Sequence, residues 1–315
     1  MLRPSFVPPR EIRELRDYTR LRAELVEERS RYKQRLEKLL EAPIKLSTVA
    51  TDIFGRSGRA MLEALIAGER DPEVLADLAL GKMRKKTAAL REALTGRFDA
   101  HHAELARMLL DQVDALSDKI ERLTARIDQL VAQLPRAQPP SDPETGEIEA
   151  NPGLSVLERL DEIPGVGLRA AQVIVAEVGL DMAQFPTAAH LVSWAKLSPR
   201  IIQSGPRSRG GKTGKGNPYL KGVLGEVASA AAKTDTFLGE RYRRLVRRRG
   251  RQRALVAVAR SILVVVWHLI DDPNVRFIDL GSDFYERRIN KDRRTRDLVR
   301  QLIALGHQVT LSSAA

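Results

Sequence analysis

Ser204 is the one hydroxyl-bearing residue between Ile201 and Pro206. It stands directly before Gly205 in a stretch, Leu197–Gly222, that reads LSPRIIQSGPRSRGGKTGKGNPYLKG. A serine among guanidinium groups suits phosphodiester chemistry, because nearby arginines lower the cost of the alkoxide and neutralise the crowded phosphoryl oxygens during attack. A serine in a phosphate-binding loop also serves by donating a hydrogen bond. With no Ser-His-Asp pattern legible, residue type alone leaves both roles open. Arg207, Arg209, Lys212, Lys215 and Lys221 follow in the same stretch and can reach phosphates from it, while its five glycines between Gly205 and Gly216 predict a loop that is flexible without its ligand.

Charge supports the same address. Between Arg200 and Arg253 there are fifteen Lys or Arg against three acids (Glu226, Asp235, Glu240), so this window carries the whole formal charge of +12. A surplus confined to one window attracts a polyanion by counterion release, whatever the base sequence. Its densest part includes Arg247, Arg248 and Arg249, too many cations for the available acids to pair, which predicts that they face solvent or phosphate. Upstream, Pro164-Gly165-Val166-Gly167-Leu168 between two apolar helical registers reads as a helix-hairpin-helix. There Gly165 and Gly167 let the backbone approach a phosphate, and Arg169 and the free amides of the second helix meet the anion. A plain structural turn between helices has the same text.

Composition narrows the chemistry. No cysteine is present, so disulfides, Cys-ligated zinc and thiol catalysis are excluded. The five histidines lack metal-ligand spacing, and the adjacent His101 and His102 are expected to diverge by about 100° on a helix. Asp271 and Asp272 before Pro273 read as a solvated helix end, so no metal site is expected. Aromatic residues make up only 4% of the chain, too few for a single-strand stacking platform, which favours duplex binding. No secretory pattern opens the sequence, and the apolar run Ser261–Ile270 is shorter than the roughly 20 residues of a membrane span. A soluble cytoplasmic, nucleoid-associated protein without a membrane partner is expected.

The elements that must hold these residues are helical, and the expected fold class is mainly α. A strap and long amphipathic helix occupy 1–42, with no Gly or Pro from Arg10 to Glu41 and apolar residues at three-, four- or seven-residue intervals. Short helices form a connector over 43–99, with Asp71 capping at Pro72; Ile44–Val49 is either a strand or a turn. Residues 100–136 carry a heptad stripe (Leu116, Ile120, Leu123, Ile127) that predicts a coiled-coil arm, paired with a second copy or with the first helix folded back. The proline-rich 137–152 reads as a linker. The serine-bearing DNA-binding domain spans 153–275, with an apolar core helix around Ala254–Ile270 that includes Trp267 and His268, and a helical tail fills 276–315.

The order of helix-hairpin-helix, the Ser204 stretch and then AVARSILVVVWHL resembles the DEDD transposases of the insertion sequence one-ten type. The likeness is closest from Leu157 to Asp272, and LRPSFVPPREIRELRDYTRLRAELVEERSRYKQRL resembles the segment leading into that family's coiled coil. The resemblance implies a mobile-element recombinase whose nucleophile is the serine of the Ser-Gly step, here Ser204. Its implied partners are DNA, a guide (bridge) RNA, and another copy or a full-length relative joined through the coiled coil. It also implies Mg²⁺ held by four acidic residues of a RuvC-like domain. None of those four has a counterpart here, so an N-terminally truncated copy with no cofactor of its own, inactive alone, is expected. Two other readings fit the residues: a non-catalytic fragment that regulates the full enzyme, and a repair-type protein that uses the hairpin on branched DNA.

Overall fold

Arg10–Leu40 forms one unbroken 31-residue helix, α1, as the absence of helix breakers requires, and the fold as a whole is mainly α. This computed structural model describes residues 7–134, 153–199, 201–211, 213–288 and 291–312, with the backbone alone at 201, 202, 204, 208–210 and 291. The chain divides into two compact units, Glu14–Gln133 on one side and Met1–Arg13 with Leu134–Ala315 on the other. The expected linker, 137–152, lies outside the described residues.

The first unit is an antiparallel helix pair with a cap of short helices. After α1 come α2 (Leu46–Val49), α3 (Arg56–Ile66), α4 (Pro72–Asp77), α5 (Thr87–Leu94) and the 33-residue α6 (Ala100–Ala132). Arg22 Nε donates to Thr124 Oγ1 at 2.8 Å and Arg29 donates to Ser117 Oγ at 3.3 Å. Partner numbers fall on α6 as they rise on α1, so the two helices run in opposite directions. Val113, Leu116, Ile120 and Ile127 of the heptad stripe are buried within the single chain. Of the two partners open to α6 on sequence grounds, the folded-back α1 is the one found.

Leu46 is fully buried and Ile44–Val49 contributes the helical turn α2 to the core beside Leu36 and Leu40. Of the strand or turn expected there, the strand does not form, because burial outweighs the weak alternation; the segment is a single helical turn. Asp71 caps α4 by accepting from Glu73 N at 2.9 Å. Arg59 binds Asp114 at 2.6 Å and Glu63 at 2.7 Å, and Arg107 binds Glu63 at 2.6 Å, tying α3 to α6. Burial alone would raise the Glu63 carboxyl, but the hydrogen bonds from Arg107 and Arg59 hold it below the usual carboxylate range. His101 and His102 do not diverge: their ring centroids lie 3.8 Å apart. Side chains in a first helical turn lean back toward the helix start, which brings both rings over Asp99.

The second unit is built around α12 (Arg251–Asp271). Four earlier helices, α7 (Val156–Asp161), α9 (Ala188–Trp194), α10 (Pro218–Ala231) and α11 (Phe237–Arg249), pack against it, and α8 (Leu168–Val178) packs on α7 and α10. Among the described residues α12 is the one helix long and apolar enough to cross a membrane, since the helix runs well beyond Ser261–Ile270. Val258, Ile262, Leu263 and Val266 are nonetheless fully buried by neighbouring helices and Arg260 is exposed midway, the pattern of a core helix. Trp267 packs as expected and donates to Phe185 O at 2.8 Å, whereas His268 is exposed rather than part of the packing. Arg159, 4% exposed, donates to the carbonyls of Leu269, Asp272 and Val275 and so caps the α12 C-terminus. The tail contributes α13 (Phe284–Arg287), stacked on Phe237, and α14 (Lys291–Ala304), whose Leu302 and Ile303 are exposed.

Candidate active site and nucleic-acid surface

The serine stretch is a β-hairpin. Strand β1 (Ile201–Ser204) pairs antiparallel with β2 (Arg207–Gly210), and Ser204 is the direct cross-strand partner of Arg207. Two residues close the turn. Gly205 has φ +58°, the left-handed value that a II′ turn needs at its first central position, and Pro206 follows with its fixed negative φ. The loop expected from the glycines is corrected over 201–210, where β-branched Ile201 and Ile202 favour a strand and Gly205-Pro206 supplies a two-residue turn, whereas 211 and 213–217 are irregular as expected. Ser204 thus stands at the turn end of the hairpin, opposite Arg207, which is exposed.

Behind the hairpin the chain is anchored. Asn217 caps α10 by accepting from Tyr219 N at 3.0 Å and Leu220 N at 3.1 Å, with Pro218 at the first helical position. Its Nδ2 donates to Glu177 Oε2 at 2.6 Å. Lys221, half-buried, donates to Gly214 O at 2.6 Å, so part of its charge is committed to the loop rather than free for a phosphate. Lys215 is exposed, and Lys212 lies outside the described residues.

The turn between α7 and α8 treats its two glycines differently. A Cβ on Gly165 (φ +88°) would lie 2.6 Å from Val227 O and 2.7 Å from Ala231 N, so this glycine lets the turn pack onto α10. Gly167 precedes α8 with open space around its Cα, as backbone approach to an anion requires. Arg169 donates to Gln172 at 3.0 Å.

Arg247, Arg248 and Arg249 are exposed in the last turn of α11, where the helix dipole favours cations even without a phosphate. The rest of that run is not uniformly free for phosphate. Arg243 bonds Glu240 at 2.9 Å and Asp235 at 3.3 Å, Arg241 donates to Tyr285 Oη at 3.1 Å, and Arg244 lies over the Tyr285 ring. The structure therefore joins Ser204 to Arg207 and Lys221 to the hairpin base, while the exposed arginine triplet sits on a separate helix. Sequence reasoning missed Glu177; its signal was a lone acid in an otherwise apolar helix, QVIVAEVG.

This hairpin and its supports fall inside a recognisable segment: residues 157–243 match the family described as "Transposase IS116/IS110/IS902 family". The segment is similar to the transposase domain of that family. The curated protein "Insertion element IS110 uncharacterized 43.6 kDa protein" of Streptomyces coelicolor is 34% identical over 144 residues, covering 45% of this chain. The match spans 32% of that relative's length. The matched segment holds Ser204, Arg207, the Gly165–Gly167 turn and the Glu177–Asn217 pair.

Among the described residues the cluster that could hold a metal ion is Asp99, His101 and His102, with ligand atoms within 4.8 Å of one another. It does not fit Mg²⁺, which takes oxygen ligands in an octahedron, because two of its three donors are imidazoles. His102 Nδ1 already accepts from Asp99 N at 3.2 Å, and the start of α6 disfavours a cation.

Proposed function

We propose that the C-terminal unit binds insertion-element DNA and that Ser204 is the nucleophile of strand cleavage and rejoining. The observation that carries this reading is the placement of a Ser-Gly step at the tip of a hairpin, cross-strand from an exposed arginine, inside the matched transposase domain. In the proposed step the Ser204 Oγ–P bond forms as one P–O bond of the strand breaks, and the departing oxygen takes up the serine's proton. Attack by a free strand hydroxyl on the phosphoserine reverses this, rejoining DNA and returning the proton to the serine. Arg207 and the neighbouring cations offset the charge on the phosphoryl oxygens.

By the resemblance, the chain is proposed to act on DNA together with a partner polypeptide that supplies metal-holding carboxylates, and to bind DNA without turnover when alone. By the same resemblance a guide RNA is the second nucleic-acid partner, and the protein works in the cytoplasm at the nucleoid. Self-association through the α6 stripe is not favoured, since Val113, Leu116 and Ile120 are already buried within the single chain. The test is an SDS-resistant protein–DNA adduct formed in the presence of such a partner and lost in Ser204→Ala.

A further inference from the structure

Glu177 has 2% of its surface exposed, on a helix whose Ile174, Val175, Ala176 and Val178 are also buried. A carboxylate so placed is costly unless hydrogen-bonded, and it accepts from Asn217 Nδ2 at 2.6 Å. The amide of Asn217 has one orientation open to it. Its oxygen serves two backbone N–H groups of α10, so its NH₂ must meet an acceptor. Capping alone does not need this second contact: Asp71 caps α4 with an acceptor-only side chain. What the Glu177–Asn217 bond adds is a tie between α8 and the point where the chain leaving β2 enters α10. The Lys221–Gly214 bond, 2.6 Å, is a second tie to the same stretch.

We propose that Glu177 is a positioning residue: through Asn217 it fixes the base of the hairpin, so that Ser204 meets a phosphate from one place. The catalytic meaning of this tie rests on the serine reading; the tie itself does not.

Asn217→Asp separates the tie from the cap. Aspartate caps helices about as well as asparagine, but here it sets a second carboxylate against Glu177 where a donor stood. In Glu177→Gln/Asn217→Asp the pair is reversed, with glutamine donating to aspartate. Trypsin under native conditions reads opening of the hairpin through cleavage after Arg207, Arg209, Lys212 and Lys215. Asn217→Asp is expected to raise that cleavage about tenfold, the scale of a lost hydrogen bond to a buried charge, and the reversed pair to bring it back to within about twofold of the original. Ile174→Val, also on α8 and fully buried, controls for general loosening. Unchanged cleavage in Asn217→Asp, no recovery in the reversed pair, or an equal rise in Ile174→Val would overturn the tie.

At saturating DNA, Asn217→Asp is also expected to slow adduct formation and the reversed pair to restore it. A loosened hairpin with an unchanged adduct rate would overturn the positioning role. Absence of any Ser204-dependent adduct in the unaltered protein would instead defeat the serine reading, leaving the proteolysis result intact.

Discussion

Arg159 and Glu162, three residues apart at the end of α7, do different work with opposite charges. Burial pulls the Arg159 guanidinium down from its ordinary value, with Asp272 and Glu162 opposing, and it stays charged because no protein environment deprotonates arginine under ordinary conditions. Its three carbonyl acceptors lie at or just beyond the last turn of α12. Arg159→Met should therefore cost about 3 kcal/mol or more, the scale for leaving several buried acceptors unpaired, read as a lower urea midpoint for the second unit. A midpoint within experimental scatter of the original would mean that those carbonyls find other donors. Glu162 is held below the usual carboxylate range first by the hydrogen bond from Arg276 and then by Phe277 N–H, against burial. A depressed folded pKa contributes stability that is fully present above the unfolded value of about 4.3 and is lost as pH falls through the folded value. The melting temperature should thus drop as pH is lowered below about 4, and Glu162→Gln should flatten that drop. An unaltered pH profile in the variant would remove Glu162 from the account.

At the scale of elements, the α1–α6 pair makes a sharp prediction. Ile120, 6% exposed, lies in the covered stripe, so Ile120→Asp buries an unpaired carboxylate at a cost of several kcal/mol. Helical circular dichroism and the melting point of the first unit should fall while the mass in solution stays the same, because the stripe's partner is in the same chain. A fall in mass instead would point to pairing between copies. The long helices were legible because their periodicity is uninterrupted over many turns, and Asp71-Pro72 and Asn217-Pro218 were legible because cap chemistry is local. Less was visible where tertiary context decides. The hairpin at 201–210 was hidden by its glycines and charge, α2 by weak alternation, and the role of Gly165 by the fact that the residues it meets, Val227 and Ala231 of α10, lie far along the chain. The partner of α6 was one of two options until the Arg22–Thr124 and Arg29–Ser117 bonds chose between them. Ser204 and Arg207 were picked out as chemistry-bearing, but their cross-strand pairing needed the strand register.

Across the whole molecule, the formal charge of +12 resides between Arg200 and Arg253, inside the second unit. DNA affinity should reside there and weaken steeply with salt. With log K falling by about 0.9 per neutralised phosphate, replacing Arg247, Arg248 and Arg249 together by glutamine should flatten the salt slope by up to roughly 3. An unchanged slope would move the contact surface off α11. The central claim, that this unit brings a nucleophile to DNA held in an assembly, is tested most directly by trapping the covalent intermediate. The chain is mixed with insertion-element end DNA, magnesium and a carboxylate-bearing relative whose own serine has been changed to alanine, so that any SDS-resistant adduct must come from this chain. The account predicts an adduct that maps to the peptide containing Ser204, that disappears in Ser204→Ala, and that does not form when the relative is left out. An adduct that survives Ser204→Ala, or efficient cleavage by this chain with magnesium alone, would contradict it.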